Sequence, residues 1–239
     1  MISVCMATYN GRKYLKPQID SILAQLKPGD ELIISDDAST DGSIDLIKTC
    51  KTGKIKLLEN CNFRNPVLNF ENAIKNAGGD YIFLSDQDDV WLPEKVSTMC
   101  NYLKKYDVVV SDCVIIDSDG SILHESFQDF RKAKKGFVRN FIRNGYLGCC
   151  IAFRREMLKY YLPFPKGIAM HDIWIGLMSE LKGETIFIPD KLILYRRHED
   201  TLTSRELKSS YSFVYRIRYR LVFAFFVFLR YLKIKFQDS

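Results

Sequence analysis

The sequence contains no Cys-x-x-Cys pair, and its cysteines, Cys5, Cys50, Cys61, Cys100, Cys113, Cys149 and Cys150, are odd in number. Most stand inside apolar runs, where a free thiol behaves as a small hydrophobe. A disulfide framework or a zinc site is therefore not expected, and a reducing compartment fits better. Glycine-rich phosphate cradles are missing as well, since neither GxxxxGK[ST] nor GxGxxG occurs. Any bound diphosphate must then be held by side chains and a cation. The first residues show no basic n-region and no cleavage site, so export is not expected. The apolar run 221–229 is nine residues long, against the ~20 that a spanning helix needs. No internal repeat and no low-complexity linker interrupts the chain.

What is present suits one large domain, or one domain with an appendage. The chain has 239 residues, 47% of them hydrophobic and 13% aromatic, enough for a sizeable core. The net charge of +6 is unevenly placed. Residues 205–239 hold eight bases against Glu206 and Asp238, which accounts for all of it and leaves residues 1–204 neutral. A neutral body gives little support to nucleic-acid binding.

Short apolar runs alternate with segments of helical spacing through the first half. Residues 2–8, 31–35, 55–58, 81–85 and 108–111 read as strands. Residues 14–25, 43–50, 67–76 and 93–106 read as helices, the last opened by Pro93. The alternation predicts a three-layer α/β domain with a mostly parallel sheet. Ligands of such sheets bind at the carboxyl ends of strands. Thr8-Tyr9-Asn10, Asp36-Asp37 and Asp86-Gln87-Asp88-Asp89 all stand at such ends. Further on, residues 117–120 read as a hairpin turn and 131–144 as a basic helical segment. Residues 171–181 read as a helix, and 186–188 and 192–195 as strands.

Asp86, Asp88 and Asp89 crowd three carboxylates into four positions. Burying them needs a compensating cation or hydrogen bonds. One reading is a Mg²⁺ or Mn²⁺ site shared with substrate phosphates; the other is a solvated acidic turn whose aspartate caps the next helix. The segment Ser35-Asp36-Asp37-Ala38-Ser39-Thr40-Asp41-Gly42 is open in the same way. It either caps a helix or grips a base N–H and ribose hydroxyls.

Taken together, Val4-Cys5-Met6-Ala7-Thr8-Tyr9-Asn10, then Ile34-Ser35-Asp36-Asp37-Ala38-Ser39-Thr40-Asp41-Gly42, then Leu84-Ser85-Asp86-Gln87-Asp88-Asp89-Val90-Trp91 resemble glycosyltransferase family 2 in order and spacing. The likeness extends over roughly residues 1–200 and includes bacterial rhamnosyltransferase-like members. It implies a GT-A fold, Rossmann-like and three-layer α/β/α, with a mostly parallel sheet and here a C-terminal helical tail. It also implies an inverting transferase with Mn²⁺ or Mg²⁺ as cofactor. Such an enzyme moves a sugar from a nucleotide diphosphate, a dTDP- or UDP-sugar, to a saccharide or lipid-linked acceptor in surface polysaccharide synthesis.

Residue by residue, the resemblance places Thr8, Tyr9, Asn10 and Asp37 at the nucleotide. Tyr9 stacks on the base, Asp37 bonds it, and Asp36 supports the loop. Asp86 contacts ribose or metal, Asp88 is the main metal ligand, and Asp89 can cap the following helix. The stretch Gly148-Cys149-Cys150-Ile151-Ala152-Phe153-Arg154-Arg155 is similar to the acceptor-side segment. His171-Asp172-Ile173-Trp174 is similar to the base motif, and Tyr195-Arg196-Arg197-His198 to the C-terminal YRxH element. His198 is read as a metal or diphosphate contact, or else as part of an exposed charged turn.

Asp172 also stands on its own argument. Inversion needs a base for the acceptor hydroxyl, opposite the leaving diphosphate. A carboxylate at a helix start, across the crevice from the metal, meets that need; the plain alternative is a helix cap. Two rival functions remain. A non-catalytic nucleotide-sugar-binding module would not need Asp86, Asp88 and Asp172 together. A nucleotidyltransferase on a related fold would show a Gly-rich basic loop, of which Asn10-Gly11-Arg12-Lys13 is a faint echo.

The expected organisation is a catalytic domain over residues 1–204 and a basic, aromatic helical tail over 205–239. The tail either packs on the body or meets an anionic membrane, with aromatic and cationic flanks suited to the interface. The expected location is cytoplasmic, peripheral on the inner face of the cell membrane.

Overall fold

The computed structural model describes residues 1–59, 61–198 and 213–237, with side chains from 217 to 236 in the last segment. In chain order the elements are β1 (Ile2–Thr8), α1 (Arg12–Leu23), β2 (Glu31–Asp36), α2 (Ser43–Thr49), β3 (Ile55–Leu58), α3 (Pro66–Lys75), β4 (Tyr81–Ser85) and β5 (Val90–Trp91). There follow α4 (Lys95–Leu103), β6 (Val108–Ile116), β7 (Ile122–His124), α5 (Phe127–Arg131), α6 (Phe137–Ile142) and β8 (Ile151–Arg154). The chain continues with α7 (Leu158–Tyr161), α8 (His171–Lys182), β9 (Thr185–Arg196) and α9 (Phe213–Gln237).

The strands form one sheet in the order β3-β2-β1-β4-β8-β6-β9-β5, with β7 on β6. β3, β2, β1 and β4 are mutually parallel, and so are β6 and β9. β8 and β5 run against their neighbours. Val4, Cys5 and Met6 of β1, Leu32, Ile33 and Ile34 of β2, and Ile82, Phe83 and Leu84 of β4 are all buried. Such continuous apolar runs belong to strands covered on both faces. α3 packs on β1 and β2, and α4 on β6 and β8. The result is a Rossmann-like three-layer α/β/α fold with a mostly parallel sheet and a C-terminal helix.

Three local expectations change. Pro93 does not open a helix, because residues 90–92 are first drawn out against β9. The chain then reverses at Glu94, φ 69°, and α4 starts at Lys95. The segment 131–144 is not one helix. Lys132 is left-handed, and Gly136 takes φ 138° with its amide on Glu180 Oε1. Residues 186–188 and 192–195 belong to a single strand, β9, whose register against β6 shifts between them.

α9 lays Phe223, Val227 and Ile234 against the body. Each buried side chain of this kind contributes about 1.5–3 kcal/mol. Arg230 donates to the carbonyls of Tyr160, Leu162 and Pro163. The packing alternative for the tail is therefore realised on one face of the helix. The boundary expected at 204/205 lies outside the described residues. No described helix is long and apolar enough to cross a membrane.

Candidate active site

The strand order turns between β1 and β4, because β1 leads outward to β2 on one side while β4 joins it on the other. A crevice opens at such a switch point. The register sets Thr8 beside Asp36 and Met6 beside Ser85. The loops after β1, β2 and β4 therefore leave the sheet on the same edge.

Thr8 is buried, and its hydroxyl donates to Asp36 Oδ2 at 2.8 Å. Its carbonyl accepts from Asp37 N and Asn69 Nδ2. Asp36 also accepts from Ser39 N and Oγ, so this pair fastens the two loops together. Asp37 accepts from the amides of Phe63 at 2.5 Å and Asn65 at 3.2 Å. Asn10 is left-handed, φ 47°, and its side chain accepts from Thr40 N at 2.9 Å. Tyr9, just past the end of β1, remains exposed.

Two glutamines that the sequence reading passed over fasten this edge. Gln87 accepts from Tyr9 N at 2.9 Å and donates to Tyr9 O at 3.1 Å. A Cβ on Gly11 would stand 2.3 Å from Gln87 Oε1, so glycine leaves room for this clamp. Gln18, buried in α1, donates to Ser85 Oγ at 2.7 Å and Asp86 O at 3.0 Å. A glutamine in the apolar stripe between Leu15 and Ile22 was the available signal.

The acidic loop is met from two sides. β5 pairs with β9, placing Val90 opposite Leu194. That pairing carries the YRRH segment to the aspartates. Arg196 N donates to Asp89 Oδ1, and Arg196 Nε to Asp88 O, both at 3.0 Å. His198 Nε2 lies 2.8 Å from Asp88 Oδ2. From the other side comes the Gly148–Cys150 turn. Donor atoms of Asp86, Asp89 and Cys149 lie within 4.8 Å of one another. Burial, then the charges of Asp88 and Asp172, push Asp86 up to about 8. Burial, then Asp88 and Asp86, push Asp89 well above the carboxylate range.

A divalent cation fits these residues. Asp89 Oδ2 is buried with no hydrogen-bond partner. Carboxylate oxygens suit Mn²⁺ or Mg²⁺. Burial first, with the neighbouring Cys150 thiol and Asp89 adding to it, raises the Cys149 thiol well above its ordinary range, so it stays a neutral lining group. Lys95, also missed, is fully buried and donates to Cys149 O at 2.8 Å. Burial lowers its pKa, and Asp89 is among the groups that oppose the shift. Its signal was a lysine one turn before Met99 on the apolar face of a helix.

Asp172 stands in the first turn of α8 and is buried. Burial lifts it to about 6, offset in part by its bond from Ile173 N and by the Asn144 side chain. Asp172 is among the charges that raise Asp86, so the two carboxylates are near one another. His171 beside it is half-buried and stacked 3.9 Å from Phe70. Burial drives its pKa down to about 3, so it is a neutral packing group.

Known proteins are similar to this chain in sequence and fold. The chain is 25% identical over 219 residues to dTDP-rhamnosyl transferase RfbG of Shigella flexneri, covering 82% of this chain and 72% of that one. Its fold is similar to S. aureus TarS in complex with UDP-GlcNAc, with TM-score 0.69, 21% identity and coverage of 93% and 66%. It is also similar to mannosyltransferase PcManGT of Pyrobaculum calidifontis in complex with GDP-Man and Mn²⁺, with TM-score 0.64, 20% identity and coverage of 83% and 57%. The chain spans 45% and 65% of the length of two further curated relatives. The description of Glycosyl transferase family 2 matches residues 3–162, the stretch that carries the β1, β2 and β4 loops. The chain belongs to glycosyltransferase family 2.

Proposed function

We propose that the chain transfers a sugar, with inversion, from a dTDP- or UDP-sugar to a hydroxyl of a saccharide or lipid-linked acceptor. The setting is cytoplasmic synthesis of a surface polysaccharide, at an anionic membrane that such an acceptor would share. What supports the reading is the nearness of the buried Asp172 to Asp86, beside the Asp88–His198 pair. RfbG by its name uses a dTDP-sugar, and TarS binds UDP-GlcNAc.

In this reading Tyr9 stacks on the base, while Asn10 and Asp37 hold the loops that frame it. Asp86, Asp88 and His198 would hold Mg²⁺ or Mn²⁺. Held there, such an ion would supply positive charge to offset that of the leaving diphosphate. Asp172 takes the proton of the acceptor hydroxyl. The freed oxygen pair forms the new bond to the anomeric carbon as the bond to the diphosphate oxygen breaks on the opposite face. The transition state has oxocarbenium character. Incubation of the chain with nucleotide sugars, Mn²⁺ and soluble saccharides, read by product mass, tests the reading. A product heavier by one sugar supports it; free sugar alone contradicts it.

A further inference from the structure

α9 has two apolar faces. Successive side chains turn by about 100° around a helix. Phe223, Val227 and Ile234 therefore share one side, and that side is buried. Leu221, Phe225 and Phe228 share the opposite side and are 66%, 58% and 59% exposed. A surface helix normally shows water a polar face, and a contiguous exposed apolar stripe marks an interaction surface. α6, tied to α9, carries a second exposed apolar pair. Val138 and Ile142, one turn apart, are 68% and 61% exposed. Arg220 Nη2 donates to Ile142 O at 2.6 Å and ties the end of α6 to α9.

The charges carried by these two segments themselves have one sign. Arg218, Lys233 and Lys235 are exposed on α9, and residues 217–236 contain no acid. Residues 130–144, around α6, hold six bases and no acid. A second copy docked through the same surface would set these cations against each other. Anionic headgroups neutralise them while acyl chains cover the stripe. The helix is 25 residues long, about 37 Å at 1.5 Å per residue, enough to lie along a bilayer.

We propose that the outward face of α9 and the exposed edge of α6 together form a docking surface for an anionic lipid bilayer. This deepens the membrane part of the transfer reading and rests on it. Asn144, whose side chain reaches Asp172, follows Ile142 by two residues.

The test is flotation of the full chain with phosphatidylglycerol-containing vesicles and with pure phosphatidylcholine vesicles. Each base near an anionic surface strengthens binding roughly fivefold, so only the anionic vesicles should carry the wild type. Leu221→Glu/Phe225→Glu/Phe228→Glu should cut flotation at least about tenfold, and Val138→Glu/Ile142→Glu should weaken it less. Both variants should keep the wild-type melting temperature and the wild-type rate on a soluble saccharide. That second reading separates a failed surface from a failed transferase. Wild-type flotation by the triple variant overturns the proposal. So does a wild type that fails to float and is a dimer by light scattering that the triple variant converts to monomer.

Discussion

Asp88 Oδ2 lies 2.8 Å from His198 Nε2, although 110 residues separate them in the chain. The antiparallel pair of β5 and β9 makes this meeting, since it fixes Val90 opposite Leu194. A carboxylate and an imidazole so placed can share one divalent ion. Asp88→Asn and His198→Ala should each weaken Mn²⁺-dependent binding of UDP or dTDP by at least roughly tenfold to a hundredfold, the span lost when a metal site is disturbed. Titration calorimetry with and without EDTA measures this. Equal affinity in EDTA for the wild type would remove the ion from the account.

The pH profile should report Asp172. Its carboxyl is raised to about 6 by burial, and a base works only when ionised. The rate, kcat/KM, should therefore rise through pH 6 and level above it, falling about tenfold per unit below. Asp172→Asn should bind donor as the wild type does and show no such limb. An unchanged acidic limb in Asp172→Asn would assign it to another group.

The Gln87 clamp predicts a coupled pair. Gly11→Ala should push the Gln87 side chain off Tyr9, losing two hydrogen bonds of about 0.5–1.5 kcal/mol each. With Gln87→Ala already made, Gly11→Ala should cost little. Melting temperatures of the two single variants and the double variant measure the coupling; additive losses would contradict the clamp.

Lys95→Met should lower stability by about 1–3 kcal/mol, because it leaves the Cys149 carbonyl buried without its donor. Denaturant titration measures it, and an unchanged midpoint would show that the carbonyl finds another partner.

Much of the first half was legible because the continuous apolar runs of β1, β2 and β4 are long enough to mark a doubly covered sheet. The three polar clusters followed, since each begins where such a run stops. What joins them was not legible. Gln18, Gln87 and Lys95 act through tertiary contacts that no local spacing announces, and a buried lysine reads as a surface one until its neighbours are known. The break at Gly136 was hidden because Glu180, the residue that receives its amide, is 44 positions away. The tail read as one uneven mixture of bases and aromatics. Only the position of the body shows that its apolar residues divide into two opposite faces.

The central claim is inverting transfer with Asp172 as the base. Proton NMR of the reaction with an α-linked nucleotide sugar, Mn²⁺ and a soluble saccharide acceptor observes it most directly. The account predicts a β-linked product from the wild type, and a rate lower by roughly two to four powers of ten in Asp172→Asn. An α-linked product, or wild-type transfer by Asp172→Asn, would contradict it.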